Sequence, residues 1–493
     1  MKIIHLLLFG SMLLIFTACG ENKVKDQSIK SEVKALEHND TDEIQEVEHN
    51  RSEPTESKKE LKTVTIYVHG YRKVGYKREK VYGNIFHNGF KKELIKFTGD
   101  ETFEDYDKES FTNIISAPAF YGDEAPNYYD QEDIDDVEKI TKKYGGGVPR
   151  YALIVAKFSK FVLESTGADK INIVSVSMGS LMTRWMIEKD LEHLASEGKI
   201  SKWLTIQGVI RGNYALSNVD NDSLLNIFFE NSPDTDHMKY GWIEKHLTPQ
   251  RAILKSPYYR DILVGQMSLT DGSKTNSLLK YVLPLYGGFQ PSDGVQLLKD
   301  TYFESVDKNN SQILSHTLLH HDHLGLRHRA EVFANISSFL KAKRRVRVTL
   351  VDATVRDLHE EISRSDVGSE IVFESHIFSE EVQKKWELTD AIDERTFESG
   401  ALKIYNLLEE EQSYQLNQIL FDSFVLPSEH QLIVKIEGHE IDSSSLYSIK
   451  ESNRHLDVDS LGESETTIPL KKGLYAVEAE DWSGHIKVDV LEF

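Results

Sequence analysis

Ser175-Val-Ser177-Met-Gly179 lies between a β-branched run, Ile171 to Val176, and a helix-like stretch, Leu181 to Leu194. A serine on so sharp a strand-to-helix turn has its hydroxyl pushed out over the sheet edge, where it can act as a nucleophile. Small residues two before and two after it must let strand and helix approach. Ser175 and Gly179 hold those places. Taken alone, the pattern reads first as a helix N-cap. His69-Gly70-Tyr71, at the end of an earlier strand-like run, shifts that balance. Acyl transfer needs two backbone donors at the developing oxyanion, and the amides of Tyr71 and Met178 can supply them, with Gly70 letting the chain bend close. His69 itself reads as a buried, hydrogen-bonded histidine. Downstream, Pro291-Ser-Asp293-Gly-Val295 is a turn carrying an acid. His316, His320, His321 and His323 follow on the next strand-to-helix passage. Asp234-Thr-Asp236-His237 has metal-ligand residue types but reads as a solvated loop, so no metal and no other cofactor is expected.

The elements that must position these residues follow from the apolar pattern. Thr63 to Val68, Asn113 to Ala117, Ile171 to Val176, Trp203 to Ile206 and Ile262 to Val264 read as strands. Helices are expected near Phe90 to Phe97, from Pro149 to Gly167 and over Glu331 to Leu340. Strands alternating with helices imply a parallel sheet. Residues 213–261, between two strands, are a candidate cap over the site or ordinary helical packing. Beyond Leu340, Arg345 to Leu350, Glu370 to Phe373, Leu402 to Tyr405, Leu432 to Ile436 and Leu474 to Ala479 are short strand-like runs between polar turns, with Val355 to Ile362 alone helix-like. Residues 343–493 therefore read as a β-sandwich. The basic Lys341-Ala-Lys-Arg-Arg345 reads as a hinge, with each side folding alone.

The chain has 493 residues, a formal net charge of -22, and 22 Phe, 21 Tyr and 5 Trp, enough for a sizeable core. Its acidity argues against nucleic acid, which requires a basic surface. Lys2, the apolar run Ile3 to Phe16, and small Thr17 and Ala18 form an export signal over residues 1–18, too short for a membrane span of roughly 20 residues. Phe16-Thr17-Ala18-Cys19 resembles a bacterial lipoprotein lipobox, with Phe16 where Leu is usual. That resemblance implies acylation of Cys19 and an extracytoplasmic, membrane-anchored protein. Residues 19–60 read as an acidic disordered tether. Cys19 is the 1 Cys of the chain, so no disulfide is expected.

His69-Gly70, Ser175-Val-Ser-Met-Gly179, Gly208-Val-Ile-Arg-Gly212, Ser292-Asp-Gly-Val295 and Asp322-His323-Leu-Gly-Leu326, in the chain order Ser, Asp, His, together resemble an α/β-hydrolase of the lipase and esterase type over residues 61–342. The resemblance implies Ser177 as nucleophile, Asp293 as orienting acid, His323 as general base, and Tyr71 with Met178 as oxyanion donors, acting on an ester or lipid. Two departures stand out: Ser175 replaces the usual leading Gly, and Val176 precedes the nucleophile where many lipases have His. His321 is a rival base and Asp271 a rival acid. Two other readings remain: a non-catalytic, lipid-anchored binding protein on a hydrolase scaffold, and an amide or thioester hydrolase with the same triad. The partner of residues 343–493 is unknown.

Overall fold

The computed structural model describes residues 62–72, 79–107, 113–218, 232–249, 256–269, 292–303, 314–319, 321–323, 330–357, 369–379, 405–407, 409–441 and 458–492. The export signal, Cys19, the tether, Asp271, His320 and Leu324 to Leu326 lie outside these residues.

Seven strands, β1 (Thr63–Val68), β2 (Glu101–Thr102), β3 (Ile114–Ser116), β4 (Lys170–Val176), β5 (Ile200–Ile206), β6 (Leu263–Leu269) and β7 (Leu314–Leu319), form one sheet in the order β2-β3-β1-β4-β5-β6-β7. Every neighbouring pair is parallel. The central strands are apolar on both faces because helices cover both. α1 (Gly89–Thr98) and α8 (Ala330–Lys341) lie on one side, in a cluster with Tyr67, Val174 and Leu204. α3 (Gly147–Thr166) and α4 (Met178–Glu188) lie on the other, with Ile66, Ile173 and Trp203. Chain chemistry sets the helix ends: Asn88 accepts the Lys91 amide at the start of α1, and Gly99 and Gly167 take left-handed conformations where α1 and α3 stop. α2 (Gln131–Tyr144), which the apolar pattern does not announce, is fixed by an Asp130/Asp133 capping box and buries only Val137.

Two expectations are corrected. The helix after Ser177 does not reach Leu194. It ends at Glu188, and the chain then passes through left-handed Asp190, Glu192 and His193. Val355 ends a strand rather than opening a helix, while residues 358–362 lie outside the described ones.

The C-terminal part is a β-sandwich. β8 (Arg344–Val355), β11 (Ser413–Val425), β14 (Gly473–Glu478) and β15 (Trp482–Glu492) form one antiparallel sheet in the order β11-β8-β15-β14. β9 (Ser369–Ser379), β10 (Tyr405–Leu407), β12 (Gln431–Ile441) and β13 (Val458–Pro469) form the other, ordered β10-β9-β12-β13. Their inward residues, among them Val348, Phe373, Val434 and Trp482, make one core, with Trp482 edge-on to Phe373 at 5.0 Å.

The two cores also meet, so residues 341–345 are not a hinge. Residues 342–343 alone separate α8 from β8. The Lys202 ammonium donates to the carbonyls of Phe339, Leu340 and Ala342 at 2.9, 2.7 and 3.0 Å, closing the C-terminus of α8. Phe424 of β11 packs edge-on against Phe339 at 4.9 Å within the helix-and-sheet cluster, and the Thr317 hydroxyl of β7 donates to Ser423 Oγ at 2.8 Å.

Candidate active site

β4 carries Ser177 to the C-terminal edge of the parallel sheet, and there the backbone takes a conformation L residues rarely adopt: φ 53°, ψ −124°. The serine stands at the N-cap position of α4 without a side-chain capping bond, so its hydroxyl is not committed to the helix. Its main chain is held instead: the Ser177 amide donates to Ile206 O at 2.9 Å, and its carbonyl accepts from Ser180 at 3.0 Å and Val209 at 3.2 Å. Close packing explains the small neighbours. A Cβ on Gly179 would lie 2.4 Å from Val68 O, and one on Gly70 would lie 2.9 Å from Ser177 Cβ. Ser175 fits because its hydroxyl is used in the core, 3.1 Å from Leu204 O and receiving the Trp203 indole N–H at 3.2 Å.

Gly70 against Ser177 also places Tyr71, the next residue, beside the turn, while Met178 opens α4 on its other side and is fully buried. His69 is buried between the rings of Phe86 and Phe120, at 4.2 and 4.1 Å, with Nδ1 2.8 Å from Gly70 O. Its contacts are those of a structural residue.

Asp293 and His323, thirty residues apart in sequence, are paired: His323 Nδ1 lies 2.7 Å from Asp293 Oδ2. The carboxylate is fully buried and the imidazole 12% exposed. The other oxygen, Oδ1, accepts the amides of Val295 at 2.9 Å and Gln296 at 2.7 Å, and the His323 amide donates to Asp293 O at 2.9 Å. A carboxylate fixed by two amides and aimed at Nδ1 selects the tautomer that leaves Nε2 as acceptor, which is what a general base requires. His321 is buried, its amide spent on Leu319 O at 3.0 Å, and the Asp293 carboxylate meets His323 instead.

Two buried carboxamides that belong to no sequence motif tie these loops together. Gln207 Nε2 donates to Asp322 O at 3.4 Å, and Gln296 Nε2 donates to Gly208 O at 3.0 Å and Gly212 O at 3.2 Å. The only sequence signal was the Gly208 to Gly212 segment after β5, which marks a turn without showing what it holds. Nearby, the Tyr240 hydroxyl donates to Asp300 Oδ2 at 2.6 Å, and burial pushes the Asp300 carboxyl up to about 6.

Of residues 213–261, α5 (Tyr214–Asn218) adjoins the acid loop, where Asn213 Nδ2 donates to Val295 O at 3.1 Å. α6 (Pro233–His237) and α7 (Tyr240–His246) form a layer on α3 and α4. Trp242 stacks on Trp185 at 5.2 Å, and His237 Nδ1 accepts the Val148 amide at 3.2 Å. Helical packing therefore describes 232–249, while 219–231 and 250–255 lie outside the described residues. His237 is not solvated: it is buried under Trp242 and acts as an acceptor at the start of α3. Among the described residues no group of three His, Cys, Asp or Glu side chains could hold a metal ion, and no helix is long and apolar enough to cross a membrane.

A seven-stranded parallel sheet, a strained serine turn behind its fourth strand in sequence, and an acid and histidine arriving in that order from later loops define the architecture. The chain has the α/β-hydrolase fold. No family model matches it, and no curated protein does. Solved structures similar to it include the lipase BlEst2 of Bacillus licheniformis in mature form, 14% identical with a TM-score of 0.33, covering 56% of this chain and 90% of that one. Another is the phospholipase PlaB of Legionella pneumophila, 12% identical with a TM-score of 0.36, covering 78% and 87%. A third is the metagenomic carboxyl esterase MGS0156, 13% identical with a TM-score of 0.33, covering 54% and 66%. Likeness at that level carries no weight for activity, and the fold rests on the sheet order and the serine turn.

Proposed function

We propose that the protein is a serine hydrolase that cleaves a carboxylic ester, lipase- or esterase-like, through an acyl-enzyme. The observation that carries this reading is the His323–Asp293 pair at 2.7 Å, on loops bonded through Gln207 and Gln296 to residues 206–209, the segment that also hydrogen-bonds the strained Ser177. His323 Nε2 takes the Ser177 proton as the hydroxyl attacks the ester carbonyl. Asp293 keeps the tautomer and stabilises the imidazolium, and the amides of Tyr71 and Met178 receive the oxyanion, each worth about 3 kcal/mol when preorganised. His323 then protonates the leaving alkoxide, and water, activated by the same imidazole, frees the acid and regenerates Ser177. A panel of esters of varied acyl length, run on the wild type and on Ser177→Ala, tests the proposal. Turnover should fall to background in the variant, and retained hydrolysis would refute it.

The lipobox-like Phe16 to Cys19 supports placing this activity outside the cytoplasm on a lipid anchor. An acidic chain has little attraction to an anionic bilayer, whereas acyl chains contribute about 0.8 kcal/mol per buried methylene. Cys19→Ser, expressed with its signal, should shift from the membrane to the soluble fraction, and unchanged membrane retention would remove the anchor from the proposal.

A further inference from the structure

Four consecutive residues at the end of β5, 206–209, reach all three parts of the site. Ile206 O accepts the Ser177 amide at 2.9 Å, and the Val209 amide donates to Ser177 O at 3.2 Å, so the turn grips the serine from both sides. Between them, the Gln207 side chain donates to Asp322 O at 3.4 Å, on the residue before His323, and Gly208 O accepts Gln296 Nε2 at 3.0 Å, from the loop of Asp293. Serine, base and acid come from three separate loops, yet all are tied to residues 206–209.

Gln207 is built for this position at a cost. Its side chain is fully buried and its backbone is left-handed, φ 47°, where Asn or Gly is preferred. The amide of Gln207 is held by Met267 O at 2.8 Å, which fixes the strained turn to β6. Its carboxamide reaches Asp322 O and, among the described residues, Oε1 has no partner. A longer side chain in a strained conformation that favours a shorter one, making one hydrogen bond, points to that bond as its purpose.

From this arrangement we infer that Gln207 and Gln296 are positioning residues: their carboxamides lock the His323 and Asp293 loops onto the turn that holds Ser177. The inference rests on the triad reading above and deepens it. Gln207 acts through Asp322 on where the imidazole sits, and Gln296 acts through its own amide and side chain on where the carboxylate sits. Neither takes a proton from the substrate or gives one to it.

The test uses the full chain with Gln207→Met, which keeps length and loses the donor, and Gln207→Asn, which eases the left-handed backbone and loses the reach. Gln296→Met tests the acid loop. Gln266→Met is the control, since Gln266 is an equally buried carboxamide bonded to Phe303. One readout is the downfield proton resonance of the His323 Nδ1–H shared with Asp293, which needs no turnover. The other is the rate of labelling by a fluorophosphonate. Gln207→Met, Gln207→Asn and Gln296→Met should each broaden or shift the resonance and slow labelling about 10- to 100-fold, as loosened geometry does. Gln266→Met should label at nearly the wild-type rate even if it melts earlier. An unchanged resonance and labelling rate in Gln207→Met would overturn the inference, as would full labelling by Gln207→Asn, which would make the backbone alone responsible. Should one Gln207 variant fail to fold, the other decides. If the wild type itself resists the phosphonate, the triad reading fails, and the resonance still judges the positioning role.

Discussion

Ser177 tolerates a positive φ because the bonds to Ile206, Ser180 and Val209 hold its backbone, a strain of order 1–3 kcal/mol that the surrounding sheet absorbs. The proposal that His323 serves it rests on one contact, that of His323 Nδ1 with Asp293. His323→Ala should therefore lose ester turnover as deeply as Ser177→Ala, with no further loss in the double variant, while His321→Ala should lose far less, since members of a triad act as a unit. Turnover rates of the single and double variants check this, and the reverse ranking would move the base to His321. The turn at Ser177 and the candidates Asp293 and His323 were legible beforehand. The small-residue spacing around Ser177 and the Ser-Asp-His order are local or ordinal signals that one sequence contains. Gln207 and Gln296 were not, because their partners lie 115 and 88 residues away and a buried glutamine has no motif.

Elements were readable where one stripe or a continuous run is buried, as in β1, α3 and α8, and unreadable where burial is slight. α2 presents Ile134, Val137 and Ile140 in a polar helix and buries only the middle one, so its capping box was the sole usable sign. The long sandwich strands β11, β13 and β15 escaped the run-based reading because polar residues alternate through them. The α3 start shows an element that depends on a distant residue. Burial, first of all, drives the His237 imidazole down to about 4, against a rise from Asp236 and the Tyr144 backbone and a further lowering by His246. The unfolded chain titrates this group near 6.5, so between about 6.5 and 4 it binds a proton that the folded chain refuses. Stability should fall as pH drops through that window, by up to about 3 kcal/mol. Half-buried His316, lowered to about 4 by desolvation, acts in the same sense, and Asp300, raised to about 6, acts in the opposite one. His237→Asn retains an acceptor for Val148 and removes one titration. Its melting temperature should decline less steeply than the wild type's from pH 7 to 4, and parallel curves would show that His237 does not matter to the acid limb.

At the scale of the whole molecule, the order of modules was visible as a change of texture past Leu340, but their contact was not, because Phe339 with Phe424 and Thr317 with Ser423 join residues remote in sequence. The sandwich strand β11 packs on β7, the edge strand that leads to His323, and on α8. Asp422 beside it is clasped by Arg345 and Arg347 at 2.5 and 2.8 Å, which stiffens the same face. A fragment of residues 61–342 therefore exposes apolar surface at Phe339 and frees β7 on one side. It should unfold at a lower temperature than the full chain, and the full chain should melt in one transition. Calorimetry showing two independent transitions, with the first matching the fragment, would restore the picture of two separate modules.

The most direct test of the proposed chemistry is to treat the full chain with a fluorophosphonate and map the adduct by peptide mass spectrometry, in the wild type, Ser177→Ala, Asp293→Ala and His323→Ala. A single adduct on Ser177 is expected in the wild type, absent from Ser177→Ala and strongly slowed in the other two, because the hydroxyl reacts only when the paired imidazole takes its proton. An adduct on another residue, or labelling of Ser177 at an unchanged rate without His323, would contradict the assignment of Ser177, Asp293 and His323 as one catalytic unit.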